Sequence, residues 1–469
     1  MPQIKELLDK IKTGFQKMDK RVKISLVALL LVLALVIPLL VLCTKPGYVA
    51  SSKDEITQNI SEAVDAGHEH VADYLREWGL PSFDTFKFAS IENTFSRYYN
   101  YTGGMPAAFE HAKETAELYL EHYYDSINKD DKEDVTDALL TCYVYALDDP
   151  YAAYRPYEET EEYFTDMSGK FGGIGVMIEY DYKAETIMVN TVYPDSPAEK
   201  AGIEVGDFII AVDGKSITEI GLDYVVYHVR GVIGTDVQLT LLRDGKEVVV
   251  SATRDEVEEI NAYGEYDSES GIGYISIVSF KGNTFDQFKK ALDDVIAQGA
   301  VGIVFDLRNN PGGYLYSVID VISYLIPTGE RVVSYQYKGK DAVVLYSEND
   351  PDGDHVLTLP MVVLCNQYTA SAGEIFTAAM RDYDDMGIIN ATIVGTNTYG
   401  KGIMQDTYVY SLDQSSCTMT VAYYDPPCGT NYHGVGVAPD IISELGDEFD
   451  NQLQDAYETL KNLINANNN

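Results

Sequence analysis

The chain has 469 residues, which is long for one ordinary hydrophobic core and indicates two or three domains. It carries 74 acidic against 34 basic residues, a formal net charge of −40 at pH 7. This charge argues against nucleic acid and anionic surfaces as partners and favours a soluble, acidic surface.

A basic segment, residues 1–23, precedes a long apolar run. It contains seven Lys and Arg residues, and the twenty residues 24–43 are apolar apart from Ser25 and Pro38. At ~1.5 Å per helical residue, such a run matches the ~30 Å hydrocarbon core of a bilayer. A cleaved signal peptide is the rival interpretation, but the run is long for one and no small-x-small site closes it. We expect a single-pass signal anchor in the cell membrane, with the N-terminus cytoplasmic and the acidic bulk extracytoplasmic.

Residues 44–168 are predicted to form a mainly helical region. A helix is expected from Lys132 to Ala146, and Pro150 stops it. The stretch 51–130 is rich in aromatic residues and has no recognisable function. Its histidines are typical of a helix surface rather than of a metal site: His68, His70, His111 and His122. We predict no metal and no cofactor.

Residues 169–256 have the pattern of a PDZ domain. Gly173-Ile174-Gly175-Val176 opens the segment, and predicted strands follow at Thr186–Val192 and Val237–Arg243. Between those strands lie DSPAEKAG and VGDFIIAVDG, an order that resembles protease-associated PDZ domains. The glycines let successive backbone N–H groups converge on a terminal carboxylate while the peptide adds as a strand. We therefore expect Gly173, Ile174, Gly175 and Val176 to bind a peptide C-terminus.

Residues 257–448 alternate strands and helices. Strands are predicted at 273–277 and 301–307, with a helix between them, which indicates an α/β core with mostly parallel pairing. Ligands in such cores gather at the carboxyl ends of strands, where Gly312 and Gly313 fall. A C-terminal helix and polar tail, residues 449–469, complete the chain, and we expect its last five residues to be disordered.

Two further strands each deliver a reactive side chain. Ser371 follows the apolar run Met361–Cys365 at the start of a predicted helix, and Lys401 follows Ala391–Gly395 on a glycine-flanked loop. Serine becomes a nucleophile when a base takes its proton, and a lysine kept neutral by burial is such a base. These two features alone leave open a helix-capping serine and a solvated lysine.

Four motifs occur in a fixed order: DLRNNPGG from Asp306, TASAGEI around Ser371, YGKGIMQ around Lys401 and GVGVAPD from Gly434. The order resembles that of the carboxyl-terminal processing peptidases, or tail-specific proteases. The resemblance includes LDDPYAAY from Leu147 and the PDZ-like segment. It implies a peptidase core of the crotonase/Clp-protease-like fold and a serine endopeptidase that cleaves proteins near their C-terminus.

The resemblance assigns roles to individual residues. Ser371 is the nucleophile, Lys401 its base, and Gln405, four residues beyond the lysine, orients the amine. Substrates are proteins with free, poorly folded C-terminal tails that the PDZ-like segment captures, and the oligomeric state, including a homo-oligomer, stays open.

The developing negative charge on the attacked carbonyl needs fixed donors. The backbone N–H of Ala372 at the helix start is one expected donor. The other is expected from the turn of Gly312 and Gly313, because glycine lets the backbone approach closely.

Two other functions are open from the residues. A membrane-tethered PDZ adaptor with an inactive peptidase-like core would tolerate loss of the serine, lysine, glutamine or glycine turn, all of which are present. A hydrolase of small acyl substrates would have no use for a carboxylate-binding loop.

Five cysteines do not form a disulfide scaffold. Only Cys417 and Cys428, which flank one strand-and-turn segment, are candidates for a bridge, on the condition that they lie side by side across a hairpin.

Overall fold

The computed structural model describes residues 84–101, 127–145, 147, 149–181, 186–218, 225–226, 228–348, 357–446 and 450–467. The predicted anchor at 24–43 and the four histidines of the N-terminal region lie outside these ranges. No helix within the described ranges is long and apolar enough to span a bilayer.

Some helices begin at a side-chain cap. The carboxylate of Asp84, for example, accepts from the backbone N–H groups of Phe86 and Lys87 and so caps the first helix. The helices are α1 (Thr85–Tyr98), α2 (Lys132–Tyr145), α3 (Tyr157–Ser168), α4 (Pro197–Lys200), α5 (Thr284–Ala297), α6 (Leu315–Ser323), α7 (Ala372–Asp385) and α8 (Asn451–Asn467).

The strands belong to three larger sheets and one two-stranded ribbon. In chain order they are β1 (Ala153–Arg155), β2 (Lys170–Gly173), β3 (Val176–Asp181), β4 (Thr186–Val192), β5 (Phe208–Val212), β6 (Lys215–Ser216), β7 (Asp236–Arg243), β8 (Lys246–Thr253), β9 (Asp255–Glu258), β10 (Ala262–Asp267), β11 (Ile272–Ile277), β12 (Gly302–Asp306), β13 (Arg331–Tyr337), β14 (Val343–Tyr346), β15 (Met361–Cys365), β16 (Ala391–Gly395), β17 (Ile403–Val409), β18 (Ser416–Asp425) and β19 (Ile441–Ile442).

The PDZ-like segment forms its own antiparallel sheet in the order β3-β4-β5-β7-β8, with β6 on β5. Alternate residues of its strands, such as Ile187, Val189, Leu239 and Leu241, are fully buried in a separate core. The ribbon of β2 and β9 connects this sheet to the rest of the chain. The segment therefore has a hydrophobic core of its own.

Residues 262–442 contain a sheet in the order β10-β11-β12-β15-β16-β19, whose pairs are parallel except for β10 with β11. Both faces are covered. Phe305 and Val363 pack with α5, α6 and α7, whereas Val304 and Val362 pack against α8. Burial on both faces explains the continuous apolar runs of β12 and β15, and the predicted parallel α/β core is confirmed.

Helix α8 extends further than the sequence suggested. It continues to Asn467, so the expectation of disorder from Asn465 is wrong for the first three of those residues. Its side chains Leu460 and Ile464 pack directly over Gly302, and this packing holds the polar end of the helix.

A second sheet was not predicted. It is antiparallel, in the order β1-β18-β13-β14, with β17 paired to β18. Helices α1 and α2 pack on one of its faces in a shared core with Cys417, Met419 and Val421. The described part of the mainly helical N-terminal region thus also contributes a strand, because β1 pairs with β18 through Tyr154 and Cys417.

Strand β18 of this sheet determines the separation of Cys417 and Cys428. Cys417 lies near the start of the ten-residue strand β18 and Cys428 lies beyond its end, and both thiols are free. The eight steps from Cys417 to the end of β18 at Asp425 span about 26 Å at ~3.3 Å per residue, and three further residues cannot bring the chain back to within the ~7 Å that a bridge needs. Cys417 and Cys428 therefore do not lie side by side across a hairpin, and the condition for a bridge between them is not met.

Candidate active site

The loops that follow the neighbouring strands β12 and β15 are joined by hydrogen bonds. Asn309 and Asn366 bond reciprocally, since the N–H of Asn309 donates to Asn366 Oδ1 and Asn366 Nδ2 donates to Asn309 Oδ1, both at 3.0 Å. Thr369 Oγ1 donates to the carbonyl of Leu307 at 2.8 Å. The N–H of Ala370 donates to the carbonyl of Asn310 at 2.9 Å. The glycine turn and the serine loop are thereby held side by side.

Ser371 lies directly before α7 in a rare backbone conformation, with φ of 55° and ψ of −117°. Non-glycine residues seldom adopt a positive φ, and such strain is concentrated at functional sites. The surrounding bonds maintain it. The N–H of Ser371 donates to Glu374 Oε2 at 2.9 Å, and its carbonyl accepts from the N–H groups of Glu374 and Ile375.

Gly312 approaches Ser371 so closely that no side chain fits between them. A Cβ at position 312 would lie 2.7 Å from Ser371 Cβ and 2.8 Å from the backbone nitrogen of Ala372. Two backbone hydrogen bonds to Phe280 also fix the glycine turn. The N–H of Phe280 donates to the Gly312 carbonyl at 2.8 Å, and the N–H of Tyr314 donates to the Phe280 carbonyl at 2.7 Å.

The N–H groups of the glycine turn are not equivalent. That of Gly312 donates to Asn310 Oδ1 at 2.8 Å, so it is already engaged. Within the described part of the chain, no acceptor is bonded to the N–H of Gly313 or to that of Ala372, the first residue of α7. Two backbone donors thus remain beside Ser371.

Lys401 lies on the loop between β16 and β17, where Gly400 packs against the GVGVAPD segment and Gly402 packs against the residues just before it. A Cβ at Gly400 would lie 3.1 Å from the backbone nitrogen of Val435, and one at Gly402 would lie 2.8 Å from that of His433. These contacts give the fourth sequence motif a structural role, because it supports the backbone of the lysine loop.

The environment of the Lys401 amine favours its neutral form. Nζ lies 4.2 Å from the centre of the Tyr151 ring, whose face attracts the charged amine, so the preference for the neutral form comes from burial. Burial lowers the pKa of Lys401 from 10.5 to about 8, although the carboxylates of Asp149 and Glu374 act in the opposite direction. A shift of this size raises the neutral fraction at pH 7.5 from about one in a thousand to roughly a quarter.

Glu374 connects the serine loop to the lysine loop, a role that was not predicted from the sequence. The side chain is fully buried, and besides the N–H of Ser371 its carboxylate accepts from three donors. These are the N–H of Lys401 at 2.7 Å, the N–H of Gly400 at 2.6 Å and Thr398 Oγ1 at 2.6 Å. The Ser-x-x-Glu spacing of a capping box was the available signal.

The LDDPYAAY segment also reaches the lysine, which no spacing in the sequence indicated. Asp149 is buried, and its Oδ1 accepts from the N–H of Tyr151 at 2.9 Å. Burial raises the pKa of Asp149. Gln405 lies in β17 at an irregularity of the pairing with β18, and its amide donates to Thr420 Oγ1 at 3.2 Å.

Several of these residues line a cavity of about 610 Å³. Its lining includes five of the residues singled out in the sequence: Gly313, Ser371, Ala372, Lys401 and Gln405. The cavity is therefore large enough for a stretch of peptide and exposes the serine, the amine and the glycine turn to it.

The predicted carboxylate loop joins the end of β2 to the start of β3, and none of its four residues lines this cavity. The carbonyls of Ile174 and Gly175 accept from Ala198 and Tyr193, which fixes the loop from its carbonyl side. Gly175 has φ of 78°, and a Cβ there would lie 2.5 Å from Ser196 Cβ. Only glycine fits at that position, whereas the side chain of Ile174 belongs to the core.

Comparison with known proteins places the chain in a family. The sequence profile of peptidase family S41 matches residues 271–443, and a PDZ-domain profile matches residues 188–243. The carboxy-terminal processing protease CtpA of Bacillus subtilis (strain 168) is 33% identical over 338 residues, 72% of this chain and 70% of that protein. The chain belongs to the carboxyl-terminal processing peptidases of family S41.

Other S41-type relatives are similar over much of the chain. A "Probable CtpA-like serine protease" of Staphylococcus haemolyticus (strain JCSC1435) is 36% identical over 326 residues, 68% of this chain and 63% of that protein. The chain thus matches less than two thirds of that relative's length. A solved photosystem II D1 C-terminal processing protease is 25% identical, with a TM-score of 0.44, over 80% of this chain and 96% of that one.

The S41 match contains Ser371, Glu374, Lys401 and Gln405, and the PDZ match runs from within β4 to the end of β7. The latter begins after the Gly173–Val176 loop, and the S41 match begins after Asp149 and Tyr151. The Gly173–Val176 loop and the Asp149–Tyr151 segment thus lie outside both matched ranges, and the second of them lies near the lysine amine.

Proposed function

We propose that the chain is a serine endopeptidase in which Ser371 is the nucleophile and Lys401 the general base. The observation that supports this most is the shared buried carboxylate. Glu374 accepts from the backbone N–H groups of both Ser371 and Lys401, so the backbones that carry these side chains are held together, and both residues line one cavity. The lowered pKa of Lys401 supports its role as a base.

In the proposed acylation step, the neutral Nζ of Lys401 takes the proton of Ser371 Oγ while Oγ bonds to the carbonyl carbon of the substrate. The N–H groups of Gly313 and Ala372 donate to the oxyanion of the tetrahedral intermediate. The intermediate collapses when the C–N bond breaks, and the Lys401 ammonium returns its proton to the leaving amine.

Deacylation repeats these transfers with water. Lys401 takes a proton from the water molecule, the resulting hydroxide attacks the acyl carbon, and the ammonium reprotonates Ser371 Oγ as the ester bond breaks. Gln405 orients the lysine side chain from β17 in this proposal. Gly312 keeps the close contact with Ser371 through its backbone and donates to Asn310 rather than to substrate.

Substrates in this proposal are proteins with free, poorly folded C-terminal tails. The Gly173–Val176 loop of the PDZ domain binds the terminal carboxylate, and the residues that precede it enter the cavity. The apolar run at 24–43 anchors the protein in the cell membrane with the N-terminus in the cytoplasm and the peptidase outside.

The test incubates the full chain in detergent with an unstructured protein and identifies the product termini by mass spectrometry. We expect internal cleavage near the C-terminus, and the Ser371→Ala variant is the control. Equal cleavage by that variant would contradict the proposal. Amidating the substrate C-terminus should reduce kcat/KM by roughly ten- to a hundredfold, because the carboxylate-binding N–H groups then lose their charged partner.

A further inference from the structure

Three tyrosines and one carboxylate form part of the lining of the catalytic cavity. This tyrosine wall consists of Tyr316 at the start of α6, Tyr335 and Tyr337 on β13, and Asp406 on β17. Tyr335 and Tyr337 are two residues apart, which puts them on the same face of the strand, and their rings meet edge to face at 5.4 Å. The wall has no role in the peptide-bond chemistry derived above.

The carboxylate of the wall has a neutral partner. Tyr337 Oη donates to Asp406 Oδ2 at 2.8 Å. Among the described residues, no lysine, arginine or histidine forms an ion pair with Asp406, and burial raises the pKa of its carboxyl group. Withdrawing a carboxylate from water without a cation costs free energy, and a cation that entered the cavity would offset that cost.

Tyr335 and Tyr337 stay neutral, because burial raises the pKa of both hydroxyl groups. The wall presents the aromatic faces of its tyrosines to the cavity. Aromatic faces attract ammonium and guanidinium groups, and the attraction grows when the cation is desolvated. Tyr316 is 60% exposed, so the cluster is accessible from outside.

Other side chains fit this surface less well. An apolar side chain would pack on the rings but leave the half-buried Asp406 without a cation, and an acidic side chain would be repelled by it. The formal charge of −40 acts in the same direction, since it raises the local concentration of basic peptides. The chemistry of the wall therefore selects a cation.

The wall lies within reach of the bond that is cut. Asp406 is five residues beyond Lys401, and at ~3.3 Å per residue this corresponds to at most ~17 Å. An extended substrate has the same rise per residue. We propose, on the basis of the peptidase function above, that the tyrosine wall is a specificity subsite for a lysine or arginine side chain within about five residues of the scissile bond.

The test uses disordered peptides with a free C-terminus in which lysine, norleucine or glutamate occupies, in turn, each of the positions around the cleaved bond. Norleucine keeps a straight apolar chain and removes the ammonium group. For the wild-type full chain in detergent, we expect lysine to exceed norleucine by roughly tenfold in kcat/KM at one position, with glutamate the poorest. Arginine should replace lysine there.

The variants assign that preference to the wall. In Asp406→Asn the ratio of kcat/KM for the lysine peptide to that for the norleucine peptide should fall to about one. In Tyr337→Phe the same ratio should lie between one and the wild-type value. Asp425→Asn, which changes a carboxylate on β18 outside the cavity, should keep the wild-type ratio. Equal kcat/KM for lysine and norleucine at every position in the wild type would overturn the proposal, whatever the variants do.

Binding separates this proposal from the proposed peptidase function. If no peptide is cleaved, the proposed function fails, and the subsite is then decided by fluorescence anisotropy with the Ser371→Ala protein. Tighter binding of the lysine peptide than of the norleucine peptide supports the subsite. Equal binding of the two peptides overturns it.

Discussion

The two sheets of the peptidase core contribute different parts of the site. The parallel sheet holds Ser371 and the glycine turn on loops at the carboxyl ends of adjacent strands, where the Asn309–Asn366 pair joins them. The LDDPYAAY segment, which leads into strand β1 of the antiparallel sheet, places Tyr151 and Asp149 near the Lys401 amine, and Gln405 on β17 of that sheet lines the same cavity. Lys401 itself lies on the loop between the two sheets.

The two sides contribute different properties to the site: the first fixes the positions of reacting groups, and the second sets the pKa of the Lys401 amine. On the parallel side the functional groups are backbone atoms and one hydroxyl, and their positions are fixed by short-range hydrogen bonds. On the antiparallel side the functional property is the pKa of an amine, which depends on burial by residues from distant parts of the chain. Changes on the first side should reduce the rate at every pH, whereas changes on the second should also move the pH profile.

The largest expected effect comes from the dyad, where both sides meet. Ser371→Ala and Lys401→Ala should each reduce kcat by about 10⁴-fold or more, and the double variant should cost little more than either change alone. Lys401→Arg should also be inactive, because guanidinium stays protonated at any working pH. Steady-state kinetics with one peptide measures all four proteins, and full activity of Lys401→Arg would exclude lysine as the base.

Gly312→Ala tests the geometric side alone. The new Cβ would lie 2.7 Å from Ser371 Cβ and force the turn away from the serine, so kcat/KM should fall by roughly 10²- to 10³-fold without a change in the pH profile. Gly329→Ala is the matched control, since its φ of 84° is also positive but nothing lies within 4 Å of the added carbon. Similar losses in both variants would trace the effect to backbone strain rather than to the contact.

Glu374→Gln breaks the connection between the two loops. An amide group has one oxygen that accepts, whereas the carboxylate accepts through both. Either the N–H groups of Ser371 and Lys401 or that of Gly400 would therefore lose their acceptor, and kcat should fall by roughly 10²-fold. Thr377→Val, also buried in α7, removes only a bond to the Gly373 carbonyl and controls for helix stability. An equal decrease in kcat for the two variants would argue against a specific positioning role.

The geometric side was the part that the sequence predicted well. The strands Met361–Cys365 and Ala391–Gly395 have the predicted bounds, because a parallel sheet covered on both faces requires continuous apolar runs that turn residues interrupt. The positions of Ser371 and the glycine turn follow from the loops after such strands. Glu374 was readable from the Ser-x-x-Glu spacing but received no role.

The electrostatic side was not predictable in the same way. Strand β1 has three residues, and its pairing with β18 joins segments that are far apart in the chain, which no local periodicity encodes. The proximity of Asp149 and Tyr151 to Lys401 depends on that pairing and on the packing of α1 and α2. Burial of the amine was therefore a requirement of the hypothesis, whereas the residues that provide it emerged only from the fold.

Asp149→Asn should give the smallest and most diagnostic effect. The Asp149 carboxylate opposes the lowering of the Lys401 pKa, so its removal should move the rising limb of the kcat/KM–pH profile to lower pH. In the wild type that limb should be centred near the pKa of about 8, with activity lost as the pH falls and Lys401 is protonated. The shift should be about one pH unit or less, since the amine stays buried beside Tyr151. Asp130→Asn, an exposed change in the same part of the chain, should leave the profile where it was. A shift of the Asp149→Asn profile to higher pH would contradict the sign of the interaction, and no shift would mean that this carboxylate does not act on the amine.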